Sequence, residues 1–196
     1  MRSAARVNCA VLAAVLLALS TILLSSANSG AAAQAGASLP AASSVAKPHA
    51  FVSVDEAPAG HSFEVAVVVD ILNGYHMNSH KPTEDYLIPT SLNFGSVAGI
   101  RELETNYPDG QMLKFDFSQE KLSVYSGSVT IRAKLAVDSG AAPREITLPF
   151  TLRYQACNMS ACLPPTKVSV PVKLKIAAAD VKPHALHPEI FKSQSK

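Results

Sequence analysis

The chain has no tryptophan, few aromatic side chains of any kind (6%), and only three cysteines in 196 residues. It also has no dense run of Lys or Arg. A formal charge of +2 with the signs interspersed leaves no basic stripe, so nucleic acid is excluded as a partner class. After the first thirty or so positions there is no apolar pattern of helical period long enough for a helix of about ten residues. Hydrophobic residues are not scarce. At 48% they supply a real core and exclude wholesale disorder, and the length corresponds to one domain with tails.

The N-terminus speaks to the compartment. Arg2 and Arg6 precede the apolar run "CAVLAAVLLALSTILL" from Cys9 to Leu24, and small residues follow. A basic start, an apolar stretch and A-x-A-like triplets at Ala31–Ala33 and Ala33–Ala35 form the pattern of a secretory signal peptide, expected over residues 1–35. An uncleaved membrane anchor is the rival reading, because the run borders on the length that spans a bilayer. Cys9 precedes most of the apolar run, which argues against lipid attachment there. Export makes the expected location periplasmic. Cleavage leaves Cys157 and Cys162 as each other's only partner, where disulfides persist.

Residues 36–47 are rich in Ala and Ser and read as a flexible leader. Residues 178–196 carry two X-Pro breaks and few apolar positions, and read as a poorly ordered tail in which His184 and His187 are solvated. Between them, over 48–177, apolar residues alternate with polar ones. Phe63, Val65, Val67, Val69 and Ile71 share one face of "SFEVAVVVDI", and "SVTIRAKLAV", "EITLPFTLRYQA" and "TKVSVPVKLKI" repeat the pattern. Pro149 and Pro171 fall on polar faces, so those strands are expected at edges or bulged. Shorter strands are expected around 50–54, 74–80, 89–94, 100–104 and 112–117, separated by turn signals such as Asn73-Gly74. The predicted fold is all-β, an immunoglobulin-like antiparallel β-sandwich. It lacks the usual inter-sheet disulfide, because Cys157 and Cys162 are too close in sequence to join two sheets.

The cysteine pair lies in "YQACNMSACLPP", where one strong strand ends and another is approached, so it brackets a hairpin loop. Three roles are open. A structural staple closing so short a loop contributes about 2 kcal/mol in the loop-closure account, a small return where strands already pair. A metal site needs further ligands: His76 and His80 of "GYHMNSH" supply an H-x3-H pair, but on extended chain rather than a helix, and Met159 offers a soft ligand. A redox pair in a small loop at the domain edge is reachable by a partner's sulfur, and access governs thiol–disulfide exchange. No helix N-terminus is available to lower a thiol pKa, so such a pair suits relay to a docked partner. Asn158-Met159-Ser160 also matches a glycosylation pattern, one that is common by chance.

Three stretches together carry a family resemblance: "GYHMNSHKPTEDYLIPTSLNF", "KFDFSQEKLSVYSGSVTIRAKL" and "LRYQACNMSACLPPTKVSVPV". They cover most of Phe51 to Ile176 and resemble the N-terminal periplasmic domain of the thiol:disulfide interchange protein DsbD, with its stand-alone disulfide bond corrector relatives. The resemblance implies an immunoglobulin-like domain that is reduced by a thioredoxin-like protein fed through a membrane thiol carrier. It would then reduce disulfides in thioredoxin-fold partners, including isomerases and cytochrome c maturation proteins. That is a protein-disulfide reductase activity within a relay, with no cofactor beyond the cysteines. By position, Cys162 resembles the cysteine that forms the mixed disulfide and Cys157 the one that resolves it. Tyr154 and Tyr75 resemble aromatics beside the pair. Phe115, Asp116 and Phe117 are candidates for a cap loop, although the two phenylalanines also fit ordinary core positions. Neither carrier nor thioredoxin-like domain follows in this sequence, so the relay's other members are expected as separate proteins. The reading from a different class is a non-catalytic sandwich for protein binding, with the disulfide fixing a hairpin.

Overall fold

The computed structural model describes residues 39–191; the expected signal peptide, the first three residues of the leader and the last five of the tail lie outside them. Twelve strands follow in chain order: β1 (Ala46–Val52), β2 (Glu56–Pro58), β3 (Ser62–Ile71), β4 (His76–Asn78), β5 (Ser91–Phe94), β6 (Ile100–Asn106), β7 (Gln111–Leu113), β8 (Leu122–Tyr125), β9 (Ser128–Val137), β10 (Arg144–Tyr154), β11 (Ala156–Cys157) and β12 (Thr166–Ala177). A single helical turn, α1 (Pro188–Phe191), comes last.

The four long alternating segments become β3, β9, β10 and β12, which hold the two main sheets together. One sheet runs β1-β3-β9-β6 and the other β2-β12-β10-β5. All pairings in them are antiparallel except the short β2–β12 contact. Because strand side chains alternate between faces, each sheet turns one apolar row inward. Val65, Val67, Val69, Ile131 and Leu135 of the first sheet meet Leu148, Phe150, Leu152, Val172 and Ile176 of the second in one buried cluster. The expected all-β immunoglobulin-like sandwich is the observed fold, and β-branched residues fill its pleated, half-buried faces.

The proline expectation resolves in a specific way. Pro149 and Pro171 face each other in the β10–β12 register, and neither strand lies at the edge over its whole length. Neither proline has an N–H to exchange, so the two occupy a pair position that makes no mutual hydrogen bonds. On their outer sides, β5 has ended at Phe94 and β2 begins pairing only at Lys175. On that side Pro171 has no ladder partner, and Pro149 has only the Gly95 N–H, which donates to its carbonyl at 2.8 Å.

Both ends of the domain differ from expectation. The leader's last residues are built in: Val45 and Ala46 are buried, and the Tyr154 hydroxyl donates to the Ala42 carbonyl at 2.7 Å. Residues 178–191, expected to be loose, follow a defined path. Ala185 bridges to Val54, the Leu186 N–H donates to the Ser53 carbonyl, and His184 pairs with Asp55 through its ring and its backbone N–H. These are backbone bonds and one ion pair, which leave no apolar period in the sequence.

Asp55 is held below its ordinary 3.8, chiefly by the backbone N–H of His184 and then by its ring. A carboxylate lowered by folding contributes stability that is complete above that ordinary value and is lost as pH falls through the folded one. Amide protection at His184 and Leu186 should therefore be retained at neutral pH and lost at pH well under 3.8. Asp55→Asn should lack that dependence. Protection by hydrogen exchange that is unchanged across the window would count against the pairing as the tail's fastening.

Candidate functional site

A third, small sheet, ordered β11-β4-β8-β7, carries the cysteines. It begins at the Asn73-Gly74 turn, where the Tyr75 N–H closes onto the Leu72 carbonyl at 3.0 Å and Gly74 takes φ +81°. A side chain at that φ is strained, so glycine belongs there. The turn sends the chain from β3 into β4. Met77 points to the main core, while His76 falls on the opposite face.

Gln155, between β10 and β11, ties this sheet to its surroundings. Its side-chain oxygen accepts from Asn78 Nδ2 at 3.2 Å and from the Ile88 N–H, and its carbonyl accepts from the Asn78 N–H. Its amide nitrogen donates to the Leu163 carbonyl on the far side of the cysteine loop. The Gln of the "YQAC" motif thus sets where the loop leaves the sandwich.

The hairpin loop is held before the sulfurs are considered. Leu163 N–H donates to the Ala156 carbonyl and Asn158 N–H to the Ala161 carbonyl. The Asn158 side-chain oxygen accepts from the N–H groups of Ser160 (2.9 Å) and Ala161 (2.8 Å), a turn that asparagine makes with its own following backbone. Cys157 and Cys162 face each other across the loop and are joined as a disulfide, with Cα atoms 3.9 Å apart. That separation lies just under the expected span of roughly 4.4–6.8 Å.

The two sulfur-bearing residues are not equivalent. Cys157 is 3% exposed, whereas Cys162 lies on the surface. On its other side Cys157 pairs in register with His76 of β4. Directly opposed residues on antiparallel strands share a face, so His76, Cys157 and Cys162 form a row across the strands. Burial, the larger effect, pushes the His76 imidazole below its ordinary 6.5, and the Cys157 backbone acts in the opposite direction. No partner reaches hydrogen-bond geometry with His76 Nδ1, which is left buried and unsatisfied.

Against this row lies the segment proposed as a cap. The Phe115 ring meets the His76 ring edge-on at 5.2 Å and packs with Leu87, Leu122 and Val124 in a separate small core. Phe117 contacts Phe115 and is partly exposed, and Asp116 is exposed. The Asp116 N–H donates to the Met159 carbonyl inside the cysteine loop, so the two loops share a backbone bond. Phe115 is thus both a core residue and a wall of the site.

The two tyrosines belong to the main core. Tyr154 is buried in the main core with its hydroxyl on Ala42, and Tyr75 packs partly buried against the same core. His76, the neighbour of Tyr75, takes the position beside Cys157 that sequence reasoning had not assigned. Its signal was the period of two in "GYHMNS": with Met77 in the core, His76 faces the other way. His80 is engaged elsewhere, stacked on Tyr107 at 3.6 Å with Nδ1 against the Thr90 carbonyl.

A profile of the family described as "Thiol:disulfide interchange protein DsbD, N-terminal" matches residues 42–174. No curated protein matches the chain. Among solved structures, the DsbD N-terminal domain of Neisseria meningitidis in its reduced form aligns with 19% identity and a TM-score of 0.41, covering 70% of this chain and 90% of that one. The N-terminal periplasmic domain of ScsB from Proteus mirabilis aligns with 13% identity and a TM-score of 0.44, covering 74% of this chain and 49% of that one.

Proposed function

The chain belongs to the family of the DsbD N-terminal domain, a thiol:disulfide interchange domain, and from that premise we propose that it is an exported, periplasmic electron relay working through Cys157 and Cys162. It takes electrons from a thioredoxin-like donor supplied by a membrane thiol carrier. It passes them to disulfides of thioredoxin-fold partners. Cys162 forms the mixed disulfide and Cys157 resolves it.

The observation that carries this reading is the unequal exposure of two bonded cysteines, one at the surface and one at 3%. Exchange proceeds by attack of one sulfur on another, and access decides which sulfur is used. A partner can reach only Cys162, and the mixed disulfide then stands next to a protected intramolecular thiol. The loop is already closed by Asn158 and by backbone bonds, so the disulfide adds little that a staple is needed for.

The reduction potential tests it. A relay pair is expected between about −180 and −230 mV, where disulfide isomerases and glutaredoxins lie. A value below about −300 mV, measured by equilibration with glutathione or dithiothreitol, would return the disulfide to a structural role in a binding module.

A further inference from the structure

We propose that His76 is the base of the resolving step, taking the proton of the Cys157 thiol as that sulfur attacks the mixed disulfide held on Cys162. The inference rests on the relay reading and adds to it a residue and a proton path.

The orphaned nitrogen is the starting point. A buried polar atom without a partner costs stability, and native proteins keep few of them. In the disulfide state Cys157 has no hydrogen to offer, and Nδ1 of His76, the residue opposite it in the strand pairing, is unpaired. Reduction of the pair gives Cys157 an S–H on the face it shares with His76, and the nitrogen gains its donor. What looks like a defect in one redox state is a contact in the other.

The chemistry requires such a group. Only the thiolate attacks, and an ordinary thiol loses its proton near pH 8.5, later still when buried in apolar surroundings. Cys157 is buried and Cys162 is not, so the resolving sulfur is the one that needs local help. Cys162 thiolate attacks a partner disulfide, forming a Cys162–partner bond and releasing one partner thiolate. The Cys157 proton moves to His76 Nδ1, giving a thiolate and an imidazolium. The thiolate attacks Cys162 Sγ, the intramolecular disulfide forms, and the second partner sulfur leaves with the electron pair. The proton on His76 passes to that sulfur or to water. The domain's dithiol is oxidised and the partner's disulfide reduced to two thiols.

A base must be unprotonated beforehand, and burial keeps His76 neutral to lower pH than an ordinary imidazole. The charged groups on the elements packed against it are few. Lys114 and Asp116 flank Phe115 on the cap loop, both exposed, and neither adds a charge effect at His76. On β11 the titratable group is Cys157 itself. On its own segment, His80 is held in the Tyr107 stack.

The test follows the two sulfurs separately. The fully reduced protein is mixed with dithiobis(nitrobenzoate) in stopped flow. Release of thionitrobenzoate is expected in two steps, the first from Cys162 and the second as Cys157 closes the ring. His76→Phe keeps an aromatic ring against Phe115 and removes both nitrogens; His76→Gln keeps polarity without a basic ring. Each should slow the second step about a hundredfold at neutral pH, the low end of general base catalysis, and leave the first unchanged. The deficit should shrink as pH approaches about 8.5, where hydroxide makes the thiolate directly. In wild type the second step should weaken only below the ordinary imidazole value of 6.5. A second step with wild-type rate and pH profile in the variants overturns the proposal, and the glutamine variant alone decides if the phenylalanine variant does not fold. If wild-type protein itself never reaches the second step, the relay reading falls together with it.

Discussion

A Cys157→Ala variant, reduced and mixed with an oxidised thioredoxin-fold protein, should accumulate a stable disulfide-linked adduct through Cys162. A Cys162→Ala variant should form none. The asymmetry follows from exposure, since Cys162 lies on the surface and Cys157 is 3% exposed. A partner sulfur must approach in line with the disulfide it enters or leaves, so the buried position is closed to it. Without Cys157 nothing displaces the partner from Cys162, and an intermediate normally lost by intramolecular attack becomes the end product. Non-reducing electrophoresis and mass spectrometry read the outcome. Equal adduct from both variants would mean that Cys157 becomes accessible when the pair is reduced. No adduct from a folded Cys157→Ala variant would remove the relay assignment.

Phe115→Ala should be the most disruptive single change near the site. Its ring is 1% exposed, packs with Leu87, Leu122 and Val124, and meets His76 and Phe117. Truncating a buried phenylalanine costs about 3–5 kcal/mol where the cavity cannot collapse. Total stability is commonly about 5–15 kcal/mol, so the loss should be plain in a urea titration. The cluster sits beneath a loop, outside the main core, so part of the cavity can close and the lower end of the range is expected. The functional consequence is separate. The backbone bond from Asp116 to Met159 is carried by the residue after Phe115, so unseating that ring is expected to loosen the segment over His76 and Cys157. Alkylation of Cys157 in the reduced variant should therefore accelerate under conditions where the protein is still folded. Phe115→Leu should restore most of the stability. Unchanged Cys157 alkylation in a destabilised Phe115→Ala protein would show that the loop does not guard it.

Legibility of the chain differed between its parts for physical reasons. The strands β3, β9, β10 and β12 are long enough for period-two alternation to be unmistakable, and their β-branched residues agree with it. The third sheet is built from strands of two to four residues, too short for any period to register. It exists because Gln155 and Asn78 join segments 77 positions apart, a contact no local pattern encodes. The same holds for His76, which meets Cys157 only through strand register. The cysteine loop stood out through its spacing and flanking residues, and the cap segment through resemblance. The double use of Phe115, in a small core and against His76, needed coordinates. The docked tail was hidden because polar bonds fasten it.

The facing pair Pro149 and Pro171 has a consequence for the life of the protein outside its own fold. Among the described residues, β12 has no ladder partner on its outer side from Thr166 to Leu174. Such a margin is a template on which another extended chain can add itself, including a second copy of this one. Pro171 removes one of the donors such an intruder would use, and Lys167 and Lys173 place charge on either side of it. The flank is thereby discouraged from holding another extended chain, or a second copy of the domain.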